Sequence, residues 1–238
     1  MKILIVNDDS ITAPGIEKLA NAASCLGEVW VVAPEAQCSA LSQKLTIREQ
    51  LTVRKIEDFP VKAAGAYAVG GTPVDCVKVA LAYILKKKPD YVFSGINNGY
   101  NAGFDIAYSG TLGAAFEGAR SGIPSLAFST AGDAHLDAVE PYLLPVIREL
   151  LEEKIEPGMV WNVNFPALKN RPLAGILRDR PVAPVSMYQE TYIESIQPDG
   201  TVHLNCQGIP TPDSMVPAGT DVEAVRRGYI SIGKVRAF

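Results

Sequence analysis

Short apolar runs alternate with amphipathic stretches along most of the first 165 residues. The runs are rich in β-branched residues, as is typical of buried parallel strands, and they lie at 2–6, 28–33, 90–94, 123–129 and 159–165. Apolar positions recur at a helical spacing in segments between them, clearest in 14–26, 73–85 and 139–151. This alternation predicts a doubly wound, Rossmann-like α/β fold with a mostly parallel sheet.

The pattern changes near residue 169, where prolines become frequent and helical periodicity ends. Alternation at 188–196 and 201–205 predicts a long β-hairpin, followed by a short helix at 221–227 and a last strand at 229–232. We therefore expect an α/β catalytic core at 1–168 and a β-hairpin oligomerisation extension at 169–238 that returns to the core. Loose alternation at 45–56 predicts a further hairpin arm.

Composition and charge indicate which partners and which cellular compartment to expect for the protein. The 238 residues carry a net charge of -4, which offers no broad basic surface for a nucleic-acid polymer. No apolar run is long enough to span a membrane, and the N-terminus shows no secretion signal. The four cysteines form no C-x-x-C pair, which favours reduced thiols in a cytoplasmic protein. The two histidines form no paired motif, so a zinc site of the His/Cys kind is not expected.

Oxygen-bearing side chains follow three of the expected strands. Asp8 and Asp9 follow the first strand, Ser39 follows the second, and Asn97 lies in the GINNGYNAG loop after the third. Because strand ends converge at one edge of such a sheet, these four side chains are candidate ligands of one divalent cation, Mg²⁺ or Mn²⁺. An acidic loop that merely caps the next helix is the alternative for the aspartate pair.

Small residues from 110 to 119 predict a helix that packs very close to the sheet. Ser109, Gly110 and Thr111 would begin this helix, where free N–H groups and the helix dipole favour a phosphate. Simple capping by a hydroxyl explains the same residues equally well. A cation facing such a helix start is a phosphohydrolase arrangement, in which Asp8 or Asp9 orients or deprotonates the attacking water. Asn7, Asn98 and Asn101 are further candidates for substrate binding.

A Thr-x-x-Asp capping box at Thr72 and Asp75, with Pro73 at the first helical position, marks another helix start. A structural role explains this motif better than a direct role in the site.

Seven motifs follow one another along nearly the whole chain: ILIVNDDSI-x-x-x-GI, VVAPEAQCSALSQKLTI, GGTPVDCVKVAL, VFSGINNGYNAG, YSGTLGAAFEG, VNFP and TDVEAVRRGYISI. With these motifs the chain resembles the SurE (survival protein E) family of divalent-metal-dependent 5'/3'-nucleotidases. The resemblance implies metal ligation by Asp8, Asp9, Ser39 and Asn97, and hydrolysis of nucleoside monophosphates. It also implies activity on short polyphosphate and a homodimer or homotetramer built through the C-terminal hairpin.

Two other functions compete with this expectation. A signalling receiver domain also carries an acidic pair after its first strand, but it needs an aspartate after its third strand, where this chain has Ser94. A nucleotide-binding protein without catalytic activity is the other alternative, because Cys38 and Ala40 flank Ser39 where the family usually has a basic residue and a glycine. The preferred nucleotide and the choice between 5' and 3' phosphates stay open.

Overall fold

A computed structural model describes residues 1–132, 135–168 and 171–237. The strands are β1 (Lys2–Val6), β2 (Glu28–Pro34), β3 (Val53–Lys55), β4 (Gly65–Val69), β5 (Tyr91–Asn98), β6 (Ser125–Thr130), β7 (Met159–Phe165), β8 (Gly175–Leu177), β9 (Tyr188–Ile196), β10 (Val202–Pro210) and β11 (Tyr229–Arg236). The α-helices are α1 (Pro14–Ser24), α2 (Pro73–Val79), α3 (Gly110–Arg120), α4 (Leu136–Leu151) and α5 (Asp221–Arg226). A π-helical turn (Ala80–Ile84) continues α2, and Gly103–Tyr108 and Asp213–Met215 are 3₁₀ turns.

The central sheet has nine strands in the order β3-β4-β2-β1-β5-β6-β7-β11-β8. The strands from β4 to β7 in this order are all parallel, whereas β3 and β11 run antiparallel to β4 and β7. The predicted doubly wound, mostly parallel sheet is therefore confirmed. The chain moves outward from β1 in both directions, so the gap between β1 and β5 is a topological switch point, where open α/β sheets bind ligands.

Helices cover both faces of the sheet. Successive residues of β1 point to opposite faces, so Ile3 and Ile5 pack with the side chains of α1 and α4, while Leu4 and Val6 pack with those of α2. Helix α3 lies close to the sheet, because a Cβ atom on Gly118 would come within 2.9 Å of the Val92 side chain. The close packing expected from the small residues of α3 is thus confirmed.

The sheet edges differ from the prediction. Strand β4 was not expected, because its sequence GAYAV combines glycine and alanine, which have weak strand preference. It forms because β2 offers it a parallel partner over residues 65–69. The expected arm at 45–56 is wrong in extent, since only Val53–Lys55 forms a strand, paired with β4. The short strand β8, paired with β11, was also missed.

The predicted β-hairpin is present as a separate two-stranded sheet of β9 and β10. Its second strand continues to Pro210, beyond the expected end at residue 205. The expected domain boundary adjoins residues 169 and 170, which lie outside the described residues. After the boundary, β8 and β11 both join the main sheet. Among the helices that the structure describes, none is both long and apolar enough to cross a bilayer.

Candidate functional site

The turn after β1 places an acidic pair at the switch point of the sheet. Asn7 and Asp8 are buried, and the Asn7 Nδ2 donates a 2.8 Å hydrogen bond to the carbonyl oxygen of Ser10. Ser10 adopts a φ of 101°, an unusual backbone conformation for a residue with a side chain, which lets the chain turn sharply toward α1. The Asn7 Oδ1 atom is buried and has no hydrogen-bond partner in the described part of the chain.

The N-terminus of α3 faces Asp8. The Thr111 Oγ1 donates a 2.6 Å hydrogen bond to the Asp8 Oδ1. Gly110 permits this approach, since a Cβ atom there would lie 2.9 Å from the Asp8 Cβ and 3.0 Å from its Oδ2. Ser109 caps the helix by accepting a 3.0 Å hydrogen bond from the Leu112 N–H. The capping alternative for Ser109 is therefore observed, while the Thr111 hydroxyl is turned to the aspartate.

Burial raises the pKa of Asp8 to about 6, and the neighbouring Asp9 charge adds to this effect, whereas the hydrogen bond from Thr111 opposes it. Among the ion pairs of the described residues, none involves Asp8. A buried carboxylate beside a second carboxylate is costly unless a cation compensates the charge. The site therefore has the electrostatics of a cation-binding site.

The end of β5 meets the second aspartate. The backbone N–H of Asn98 donates a 2.8 Å hydrogen bond to the Asp9 Oδ2. In the preceding residue, the Asn97 Nδ2 donates to the Gly99 carbonyl oxygen at 2.8 Å and lies 3.5 Å from the Asn101 Oδ1. The Nδ2 atom of Asn97 is thus fixed by these contacts. Asn97 directly precedes Asn98, the residue that contacts Asp9.

The loop after β2 carries Ser39 to the same edge of the sheet. The N–H of Cys38 donates a 2.7 Å hydrogen bond to the carbonyl oxygen of Asp8, and Ser39 follows directly as an exposed residue in a turn. Farther along, the Ser42 N–H donates to the Tyr108 carbonyl oxygen at 3.0 Å. These backbone contacts hold the loop between the turn after β1 and the start of α3.

The capping box of α2 fastens the far end of this loop. Thr72 and Asp75 form the predicted reciprocal cap, which is confirmed. The Thr72 Oγ1 also donates a 2.6 Å hydrogen bond to the Lys44 carbonyl oxygen. The Asp75 Oδ2 accepts a 2.7 Å hydrogen bond from the Thr46 Oγ1. The cap therefore has a structural role that extends to the loop carrying Ser39.

A buried asparagine network supports the β5 end, and the sequence did not reveal it. The Asn101 Nδ2 donates to the Ser129 Oγ at 2.6 Å, and the Asn101 N–H donates to the Asn164 Oδ1 at 2.9 Å. The carbonyl oxygen of Asn101 accepts hydrogen bonds from the Nδ2 atoms of Asn162 and Asn164 at 2.8 and 3.0 Å. Asn101 thus links β6 and β7 to the segment after β5, and its Oδ1 lies 3.5 Å from the Asn97 Nδ2. Two asparagines spaced by two in the apolar strand WNVNF were the available signal.

The structure thus brings several of the expected site residues into direct contact or adjacency. Asp8 contacts Thr111 and packs against Gly110, and Asp9 contacts the backbone of Asn98. The Asn101 Nδ2 donates to the Ser129 Oγ, and the Asn7 Nδ2 donates to the Ser10 carbonyl oxygen within the turn. No group of three or more His, Cys, Asp or Glu side chains suited to a metal occurs within the described residues, so a cation here would rely on neutral oxygens as well. The carboxylate, hydroxyl and amide oxygens available fit a hard divalent cation.

Fold and site together define a doubly wound α/β protein with an acidic site at the switch point, facing a helix N-terminus. The sequence matches the family model described as Survival protein SurE over residues 3–186. It is 41% identical over 239 residues to 5'-nucleotidase SurE 1 of Thermus thermophilus, covering 99% of this chain and 91% of that protein. It is also 42% identical over 238 residues to 5'-nucleotidase SurE of Paramagnetospirillum magneticum, covering 98% and 88%.

The fold agrees with these matches. The SurE protein of Aquifex aeolicus superposes with a TM-score of 0.85 at 36% sequence identity, covering 100% of this chain and 94% of the other. The chain therefore belongs to the SurE family, as its motifs indicated.

Proposed function

We propose that this protein is a 5'-nucleotidase that hydrolyses nucleoside monophosphates to nucleoside and phosphate. The observation that carries the proposal is the aspartate pair at the switch point, packed against the start of α3 in a chain of the SurE family. The relatives from Thermus and Paramagnetospirillum bear the name 5'-nucleotidase. A receiver-like signalling role has no comparable support.

The proposal includes one divalent cation, Mg²⁺ or Mn²⁺, held by Asp8, Asp9, Ser39 and Asn97. The buried, uncompensated carboxylate of Asp8 and the all-oxygen donor set support this choice. When bound, such a cation polarises a phosphoryl oxygen and lowers the pKa of a coordinated water.

The chain's own groups then have separate tasks. Asp8 or Asp9 orients the attacking water and accepts its proton. The amides at the start of α3, with Gly110 and the Ser109 hydroxyl, bind the transferring phosphoryl oxygens, because charge accumulates there in the transition state. Thr111 holds the Asp8 carboxylate in place through its hydroxyl. The Asn98 N–H donates to the Asp9 carboxylate, and we expect Asn7, Asn98 and Asn101 to contribute to substrate binding at this end of the sheet.

Three further features belong to the same proposal. We expect 3'-nucleotides and short polyphosphate to be further substrates of the same site. We expect a homodimer or homotetramer that forms through the exposed β9–β10 hairpin of the extension at 169–238. A cytoplasmic location is consistent with the free thiols of all four cysteines.

The central experiment replaces Asp9 by asparagine and measures phosphate release from AMP with Mg²⁺, Mn²⁺ or chelator. We expect Asp9→Asn to keep its circular dichroism spectrum and to lose at least about a hundredfold in kcat, since one of the two carboxylates is gone. Asp137→Asn is the matched control, because the Asp137 side chain is 94% exposed and forms an ion pair with Lys18, away from the acidic site. Full activity of Asp9→Asn, or of the wild type in excess chelator, would refute the proposal. Nucleotide binding without phosphate release by the wild type would instead favour the non-catalytic alternative.

A further inference from the structure

A cavity of about 440 Å³ opens beside the acidic site. Its walls include Gly99 and Tyr100 after β5, Asp105 in the following 3₁₀ turn, His135 before α4, and Met187 and Tyr188 at the start of the hairpin. The volume falls within the range of about 300–1,000 Å³ that is usual for small-molecule pockets. The mechanism described above uses none of the side chains of these residues.

Gly99 links the wall of the cavity to the β5 end of the acidic site, since it follows Asn97 and Asn98 directly in the chain. The carbonyl oxygen of Gly99 accepts the hydrogen bond from the Asn97 Nδ2, and its N–H donates to the Thr130 carbonyl oxygen at 3.0 Å. The cavity thus lies at the ends of β5 and β6, next to the gap between β1 and β5. Because neighbouring strands are about 4.8 Å apart, β6 lies roughly 10 Å from the acidic pair on β1. A ribose with its base bridges a separation of this size.

Two aromatic side chains line the cavity and have no aromatic partner of their own. Neither Tyr100 nor Tyr188 contacts another ring in the part of the chain that the structure describes. Tyr100 is fixed, because its hydroxyl oxygen accepts a 2.8 Å hydrogen bond from the Ala167 N–H. Tyr188 is 53% exposed at the cavity mouth. Flat, unpaired rings of this kind bind nucleobases by stacking, with little dependence on the base.

A carboxylate supplies the polar side of the cavity. The Asp105 Oδ2 accepts a 2.8 Å hydrogen bond from the Met187 N–H, which positions the side chain and ties the hairpin start to this wall. A carboxylate accepts several hydrogen bonds, so Asp105 can also accept from ribose hydroxyls, as acidic residues do in dinucleotide sites.

We propose that this cavity is the nucleoside subsite, in which the base packs against Tyr100 and Tyr188 and the ribose hydroxyls donate to Asp105. The inference rests on the proposed nucleotidase function and extends it, because it states which part of the substrate the cavity recognises. It predicts selection of nucleotides over simpler phosphate esters without requiring one particular base.

The test compares AMP with ribose 5-phosphate, which has the same phosphate and sugar but lacks the base. In Tyr188→Ala we expect kcat/KM for AMP to fall about tenfold, through KM, while kcat/KM for ribose 5-phosphate stays within about twofold. Tyr192→Ala is the matched control, because Tyr192 is a similarly exposed tyrosine on the same face of β9 that does not line the cavity. Equal losses for both substrates, or no loss for AMP, would overturn the proposal.

Calorimetric titration with adenosine in the presence of chelator separates this inference from the catalytic one. The wild type and Tyr192→Ala should bind adenosine, and Tyr188→Ala should bind it about tenfold more weakly. Such binding in a protein that releases no phosphate would support the subsite and refute the nucleotidase. Phosphate release from AMP without Tyr188-dependent adenosine binding would overturn the subsite and leave the nucleotidase standing.

Discussion

Gly110 shows how one missing side chain shapes the acidic site. It begins α3 directly against Asp8, where a Cβ atom would approach the aspartate side chain to within 2.9 Å. The Thr111 hydroxyl reaches the Asp8 Oδ1 at 2.6 Å only because the helix can start this close. The position of Asp8 therefore depends on a residue that carries no chemistry of its own.

We predict that Gly110→Ala displaces the Asp8 carboxylate while leaving the fold intact, because the new methyl group meets a side chain and not the backbone. Small displacements of catalytic groups cost up to about a hundredfold in rate, so kcat/KM for AMP should fall about ten- to a hundredfold. Calorimetric Mn²⁺ binding should weaken as well. Arg120→Ala, at the exposed end of the same helix, controls for effects on α3 in general. Unchanged Mn²⁺ affinity in Gly110→Ala would show that Asp8 tolerates the displacement.

The sequence identified the charged residues of the site, but it did not identify the buried neutral residues that support it. Asp8 and Asp9 stood out because a strand end is followed by two carboxylates. Asn162 and Asn164 did not, because a buried asparagine resembles any other polar residue until its partners are known. Their partner is the backbone of Asn101, about sixty residues away along the chain.

Helix α2 holds the loop that carries Ser39, although it lies outside the acidic site. Its N-cap residue Thr72 accepts a hydrogen bond from the Asp75 N–H and donates one to the Lys44 carbonyl oxygen. The loop after β2 is thus held at both ends, at Cys38 by Asp8 and at Lys44 by the cap. The cap was evident from the T-P-V-D sequence, whereas its partner in the loop was not.

We predict that Thr72→Ala lowers the free energy of unfolding by about 1–2 kcal/mol, the usual cost of losing an N-cap hydroxyl. It should also weaken Mn²⁺ binding, since the loop with Ser39 loses its hydrogen bond at Lys44. Urea unfolding and calorimetry measure the two effects. Thr220→Ala is a matched control, because Thr220 caps α5 and bonds the Pro217 carbonyl oxygen, away from the site. If both variants weaken Mn²⁺ binding equally, the loss reflects stability alone.

The β9–β10 hairpin is a two-stranded sheet separate from the main sheet, and large apolar side chains are exposed on it. One face carries the exposed apolar side chains of Tyr192, Ile196, Val202 and Leu204 together with Glu190 and Glu194, and Tyr188 of this face lines the cavity described above. The opposite face carries Gln189, Thr191, Ser195, His203 and Asn205 together with the exposed Ile193 and Ile209. An isolated hairpin is marginally stable in water, and an exposed apolar face of this kind is typical of an interface. A second copy of the chain is the partner that our proposal assigns to it.

We predict that Leu204→Glu reduces the molar mass measured by light scattering, because a buried charge without a partner opposes association. Asn205→Glu adds the same charge on the opposite face of the same strand and should leave the mass unchanged. The circular dichroism spectra of both variants should match the wild type. A monomeric wild type, or an assembly unaffected by Leu204→Glu, would contradict the assignment of this face.

The sequence by itself determined the core strands, the helices and their order, though not the edge strands β4 and β8, because apolar periodicity and cap residues act over a few neighbouring positions. It also showed which functional groups the site could contain, since the acidic pair, the asparagine-rich loop and the small residues of α3 are evident from the sequence alone. Tertiary structure decided which of these groups meet. Strand β4 exists because β2 gives it a partner, Asn101 is fixed because β7 supplies Asn162 and Asn164, and the cavity beside Gly99 forms only where residues 99, 105 and 188 come together. Such contacts join residues distant along the chain, and no local pattern records them.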